Sequence, residues 1–210
     1  MLDRLYTLLD VTACRDRGLD PLAVLDAFLN GGARLVQLRD KTEALASRLA
    51  LADTVVARAH AAGATIIVND RADVAAMAGA DGVHVGQGDL SVAAARLVVG
   101  TSAVVGISTH DVTQIAAAAE TDATYIAVGP IYGTSTKDTG YSARGLELVR
   151  AAARTGRPVV AIGGITLERA PEVIAAGAAS VAVISDLLTH DPSSMVRRYR
   201  ERLGQAAAAR

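Results

Sequence analysis

Two successive apolar runs end on a carboxylate. Ile66-Ile67-Val68 runs into Asn69-Asp70, and Val83-His84-Val85 runs through Gly86-Gln87-Gly88 into Asp89. An Asp or Asn after a strand often caps the next helix, and for Asp70 alone that reading stands on equal terms. A pair needs more, because an unpaired carboxylate withdrawn from water costs several kcal/mol. Arg39 and Lys41 alternate along QLRDK (37–41), so both leave the same side of an extended segment. If they only neutralised the two acids, the site would be inert. A divalent ion between Asp70 and Asp89 explains the oxygens better, since Mg²⁺ is held by one or two carboxylates, with water and phosphate oxygens filling the rest. Lys137, in TSTK (134–137), adds a third cation. A fixed cation about 4 Å from a phosphate charge contributes roughly 4 kcal/mol at intermediate dielectric. Three cations and a metal exceed what a carboxylate substrate needs. They suit a diphosphate that departs with its charge increasing. A second anion site is legible in Gly163-Gly164 and Ile184-Ser185, where glycines let a ligand approach the backbone closely.

These residues must be brought together by the elements that carry them. Eight short apolar runs recur, at 4–10, 33–40, 64–70, 81–87, 102–108, 123–130, 157–164 and 180–186. Runs of this kind suit strands covered on both faces, hence a parallel sheet. Helical segments lie between them: Pro21–Asn30, Leu45–Ala61, Leu167–Ala176 behind Thr166 as N-cap, and Pro192–Leu203. The expectation is an α/β fold, a single-domain (β/α)8 TIM barrel spanning 1–210, with 204–210 frayed. Closure removes both sheet edges. The rival is an open doubly wound sheet, which would carry G-x-G-x-x-G after its first strand; VTACRDRGLD (11–20) lacks it. In a barrel the eight strand ends gather the chemistry at one mouth.

The composition excludes several partners. With 21 basic and 22 acidic residues there is no bulk electrostatic case for nucleic acid or an anionic membrane. No apolar run reaches the roughly 18 residues of a membrane helix, and MLDRLYTLLD puts charges where a signal peptide would be apolar. Cys14 is alone, which removes intrachain disulfides and suits a reducing, cytoplasmic setting.

The motifs taken together resemble thiamine-phosphate synthase. VQLRDK (36–41), VNDR (68–71), GADGVHVGQ (79–87) with Asp89-Leu90, GISTH (106–110), GPIY (129–132) with TSTK (134–137), and AIGGI (161–165) appear in order from about residue 4 to residue 203. The family joins a pyrimidine diphosphate to a thiazole phosphate and releases pyrophosphate. The resemblance implies that Asp70 and Asp89 hold one Mg²⁺ per subunit. It implies that Arg39, Lys41 and Lys137 grip the diphosphate, while Gln37, Asn69 and Ser108 meet the pyrimidine substrate. Leu38 and Asp40 are carried along within the same stretch. Thr134, Ser135 and Thr136 would contact the thiazole partner, and Gly164, Ile184 and Ser185 its phosphate. Arg39, Lys41, Ser108 and Lys137 would be catalytic, by charge stabilisation and positioning, with no protein nucleophile. The partners are small phosphorylated substrates; homo-oligomerisation is left open.

Three departures from the family pattern stand out. Asp40 replaces a common Glu, Tyr132-Gly133 an aromatic-proline pair, and Ser185-Asp186 brings a carboxylate beside the phosphate site. Asp186 is expected to cap a helix or face solvent. His84 reads as a hydrogen-bonded structural residue, His110 as a residue at the mouth, and His60 and His190 as surface residues at helix ends. Tautomerase relatives on this barrel carry a histidine where this chain has Pro130, which counts against isomerase chemistry.

Overall fold

Successive side chains of a strand point to opposite faces, so a strand that is apolar throughout must be covered twice. A computed structural model describing residues 2–41, 44–133 and 140–208 shows how this chain does so. Eight parallel strands close on themselves in chain order: β1 (Leu5–Asp10), β2 (Leu35–Arg39), β3 (Thr65–Asn69), β4 (Gly82–Val85), β5 (Val104–Thr109), β6 (Tyr125–Val128), β7 (Val159–Ile162) and β8 (Ser180–Val183). β8 returns to β1 through Leu5↔Val181. The expected barrel is the observed one.

Outward residues such as Leu9, Leu38, Ile66, Val83, Val105 and Ile126 pack under the helices. A smaller set points inward: Tyr6, Leu8, Leu35, Ile67, Tyr125, Ala127, Val160 and Ala182. Two tyrosines fit inside because a glycine faces one of them. Gly106 is the register partner of Tyr125, and a Cβ there would lie 2.0 Å from the Tyr125 ring carbon Cζ. Gly106→Ala is therefore expected to cost roughly 3 kcal/mol through overpacking. Urea unfolding would read this as a midpoint lower by roughly 1 M.

The helices are α1 (Val11–Arg15), α2 (Pro21–Asn30), α3 (Leu45–Ala61), α4 (Ala72–Met77), α5 (Val92–Val99), α6 (Val112–Ala119), α7 (Gly145–Ala153), α8 (Ala170–Ala175) and α9 (Pro192–Ala208). Asp20, Ser91 and Asp111 cap α2, α5 and α6 through side-chain oxygens. Two expected boundaries are corrected. α8 begins at Ala170 rather than Leu167, because Pro171 has no N–H to offer a helix already running at 167 and is tolerated only in a first turn. α9 continues past the expected end at Leu203 to Ala208, through alanines of high helix propensity. Among the described residues no helix is long and apolar enough to cross a membrane.

Candidate active site

The carboxyl ends of the strands surround one cavity of about 320 Å³. Gln37, Arg39, Lys41, Asn69, Asp70, Asp89, Ser108, Gly164, Ile184 and Ser185 all line it. Thr134, Ser135, Thr136 and Lys137 lie outside the described residues. Leu38 and Asp40 are a correction. The alternation that turns Gln37, Arg39 and Lys41 inward turns these two outward, where both are buried away from the cavity. Their side chains are not placed to meet a ligand there.

The acidic side of the cavity is built on a backbone turn. Asp70 is the one non-glycine with positive φ among the described residues, at 63°, a conformation Asp tolerates better than most. Its N–H donates to the His84 carbonyl across to β4 at 2.7 Å, so the bend is pinned. Lys41 Nζ lies 3.0 Å from Asp70 Oδ2. Asp89 Oδ2 accepts the Gly86 N–H at 2.8 Å. The two carboxyls are close enough to influence each other's protonation. Burial raises the Asp70 pKa, but hydrogen bonding and charge from Lys41 outweigh it and leave the group below its ordinary value. Asp89 goes the other way: burial and the neighbouring Asp70 charge raise it, and the Gly86 N–H only partly offsets them. Two neighbouring carboxyls whose charges oppose each other are a place where a cation is wanted.

That donor set can be tested against a metal. Two aspartates supply hard oxygen ligands and leave most of an octahedron to water and substrate, which fits Mg²⁺. Among the described residues there is no group of three or more His, Cys, Asp and Glu that could hold a metal, which does not suit a zinc cage. Cys14 is buried within the outer core, and burial pushes its thiol up to about 11, so it has no nucleophilic role.

Arg39 is held by a residue the sequence reading passed over. Its guanidinium pairs with Asp10 at the end of β1. Asp10 is 2% exposed, and its other oxygen accepts the Ala13 N–H at 2.9 Å, capping α1. Asp10→Ala would strip a cap and leave Arg39 without its buried partner. The expected loss is about 3 kcal/mol of stability, read by chemical unfolding.

Across the mouth, Gly163 and Gly164 have φ of 102° and 61°. They bend the end of β7 beneath the loop after β6, whose Tyr132 N–H donates to the Gly163 carbonyl at 3.0 Å. Ser185 opens a 3-10 turn, Ser185–Leu187. Asp186 neither caps that turn nor faces solvent. Its Oδ2 accepts the Leu167 N–H at 3.0 Å and the Tyr199 hydroxyl at 2.6 Å, which ties that oxygen to α9, while the residue still lines the cavity beside Ser185. Arg169 also lines the cavity here, donating to the Gly164 carbonyl at 2.9 Å and stacking on Tyr132. On the flank between these two sides, His110 Nδ1 lies 2.6 Å from the Gly129 carbonyl and the ring stacks on Tyr141. Arg71 pairs with Asp73 rather than Asp70.

The floor was not anticipated. Tyr6, Tyr125 and His84 all line the cavity from below. Gln37 Nε2 is 3.0 Å from the Tyr6 hydroxyl, which is 3.1 Å from that of Tyr125. Tyr125 is 2.9 Å from His84 Nδ1, and His84 Nε2 is 2.8 Å from Ser108 Oγ. His84 is hydrogen-bonded as expected, but it faces the ligand space. The available signal was alternation within each strand, which puts Tyr6 on the face of Leu8 and Tyr125 on the face of Ala127, all of them lining the cavity.

Comparisons with known proteins show the family. Residues 5–187 match the family model for thiamine monophosphate synthase. A thiamine-phosphate synthase of Mycobacterium avium (strain 104) is 48% identical, covering 86% of this chain and 84% of that protein. One from Mycobacterium bovis (strain BCG / Pasteur 1173P2) is 43% identical over 97% and 96%. The solved thiamine phosphate pyrophosphorylase of Pyrococcus furiosus superposes with a TM-score of 0.87 at 27% identity, covering 97% and 96%. A 3-hexulose-6-phosphate synthase structure, at TM-score 0.67 and 17% identity over 95% and 99%, shares the fold alone. By family model, sequence identity and superposition together, the chain belongs to the thiamine monophosphate synthase family, enzymes of thiamine biosynthesis.

Proposed function

We propose that the cavity joins 4-amino-2-methyl-5-(diphosphooxymethyl)pyrimidine to hydroxyethylthiazole phosphate, or to its carboxylated form with loss of CO₂, giving thiamine monophosphate and pyrophosphate. The observation that carries this reading is the paired Asp70 and Asp89 with Lys41 and Arg39 on one side of a single cavity, facing the Gly163-Gly164 bend and Ser185 on the other. One side suits a diphosphate and the other a monophosphate. Asp70 and Asp89 would hold one Mg²⁺, and the ion would supply charge neutralisation to the departing diphosphate.

The reaction is dissociative. The carbon–oxygen bond to the diphosphate breaks with its electron pair leaving on oxygen. The resulting pyrimidinylmethyl cation takes the lone pair of the thiazole nitrogen. Lys41 and Arg39, with Lys137, stabilise charge growing on the leaving group. Gln37, Asn69 and Ser108 hold the pyrimidine in line, and Thr134, Ser135 and Thr136 meet the thiazole partner. Gly164, Ile184 and Ser185 hold its phosphate, so the nitrogen is presented at bonding distance. A cytoplasmic enzyme fits the lone reduced Cys14. Mixing the purified chain with both substrates and Mg²⁺ should yield thiamine monophosphate and pyrophosphate in equal amounts. Turnover undiminished by a chelator would refute the metal assignment, and no turnover with either thiazole would refute the reaction.

A further inference from the structure

The floor of the cavity contains a chain of buried polar groups running from Gln37 through Tyr6, Tyr125 and His84 to Ser108. Its ends both line the cavity, on β2 and β5, and its middle crosses the barrel beneath it. Such a chain can be hydrogen-bonded in only two ways, each the reverse of the other, because every hydroxyl has one proton and a neutral imidazole one N–H. The Gln37 amide decides between them. Its Nε2 has protons only to give, so the Tyr6 oxygen accepts. The Tyr6 ring is 1% exposed, and a buried hydroxyl proton is paired; the partner in reach among the described residues is the Tyr125 oxygen. Tyr125, fully buried, then has its own proton left for His84 Nδ1. With Nδ1 accepting, the imidazole proton sits on Nε2 and is given to Ser108 Oγ at 2.8 Å. Burial raises the pKa of both tyrosines above the ordinary value, so neither surrenders its proton and breaks the sequence.

We propose that Tyr6, Tyr125 and His84 are positioning residues that carry the polarity of the Gln37 amide across the barrel, so that the Ser108 hydroxyl, already accepting from His84, is left as a donor to the substrate. This rests on the reading that Gln37 and Ser108 hold the pyrimidine diphosphate. It adds that the two ends are matched: Gln37 presents its carbonyl oxygen as an acceptor while Ser108 presents a proton. The reversed chain would present neither, since Ser108 would spend its proton on His84.

Stacking keeps the chain in register. The His84 and Tyr125 rings lie nearly parallel, 5.6 Å apart, and Tyr6 meets Tyr125 edge-on at 6.1 Å. A phenylalanine at either tyrosine would keep that packing and remove only the relay.

The test is the tautomer of His84, read by long-range nitrogen–proton NMR on the ¹⁵N-labelled full chain without substrate, with His84→Gln to assign the signal. The proton is expected on Nε2; a proton on Nδ1 overturns the proposal. In Tyr6→Phe, whose lost hydroxyl pairs with Tyr125 and Gln37, His84 is expected to become a mixture of tautomers. kcat for coupling should fall about tenfold, the net worth of one hydrogen bond, with KM for both substrates within about twofold. A single Nε2–H tautomer in Tyr6→Phe, at whatever rate, shows that the far end does not set the near one. A mixed tautomer with unchanged kcat shows that the Ser108 proton is not used. Either result overturns the proposal. The NMR arms need no substrate, so they stand even if the coupling reaction fails, which separates this inference from the assignment of function.

Discussion

Asp89→Ala lowers the coupling rate at saturating substrates by about 10³-fold, the largest effect expected of any single change in the cavity. The size follows from what the residue supplies. A metal that neutralises a departing phosphate is worth several kcal/mol, and each 1.36 kcal/mol is tenfold in rate. Removing one of two carboxylates takes away half of the proposed ligand set, and Lys41, already 3.0 Å from Asp70, would turn the remainder into a closed ion pair. The change should be confined to this side of the mouth. Binding of the thiazole phosphate, measured by calorimetry, should stay within about twofold, because Gly164 and Ser185 follow β7 and β8, whereas Asp70 and Asp89 follow β3 and β4. Asp89→Asn separates charge from shape. It can still accept the Gly86 N–H, so the loop keeps its hydrogen bond while the rate still collapses.

Gly164→Ala is the matching experiment on the opposite side. The backbone there sits at φ 61°, which costs an alanine roughly 1 kcal/mol or more. A Cβ would also lie 2.5 Å from the Gly133 carbonyl oxygen and 2.8 Å from Tyr132 Cβ. The first of these is backbone, so relief requires the bend and the loop after β6 to separate, and that contact shapes the phosphate end. KM for the thiazole phosphate should rise about 100-fold, roughly 2.7 kcal/mol of lost binding, with a stability cost of about 2 kcal/mol. KM for the pyrimidine diphosphate should hardly move. Steady-state kinetics with each substrate varied in turn checks the asymmetry.

These two expectations come from opposite kinds of legibility. Asp70, Asp89, Arg39 and Lys41 could be found in the sequence because charge at the end of an apolar run has few structural excuses. The same two-residue alternation that placed Arg39 and Lys41 together also sends Leu38 and Asp40 outward, and carrying the whole QLRDK stretch into the site overrode it. Tyr6 and Tyr125 were hidden for another reason. A tyrosine within a run such as LYTLL looks like filler for an aliphatic core, and only the closed barrel shows that the inner face of the strand is the floor of a cavity. Asp10 escaped because its partner, Arg39, is 29 positions away, and strand neighbours across a closed sheet are not visible in spacing. Asp186 was noticed but misplaced, since the hydroxyl that claims it comes from Tyr199 on α9. The Gly163-Gly164 bend was read as a ligand cradle; the contacts with Pro130, Tyr132 and Gly133 show that packing of one loop on another also demands glycine there.

Calorimetric titration of inorganic pyrophosphate into the chain, with and without Mg²⁺, tests the central claim most directly, because pyrophosphate is the proposed leaving group and needs no chemistry to bind. One molecule per chain should bind about 100-fold more tightly with the metal present, and Asp89→Ala should erase that gain while Gly164→Ala leaves it intact. Equal affinity with and without Mg²⁺, or a metal effect that survives Asp89→Ala, would contradict the account.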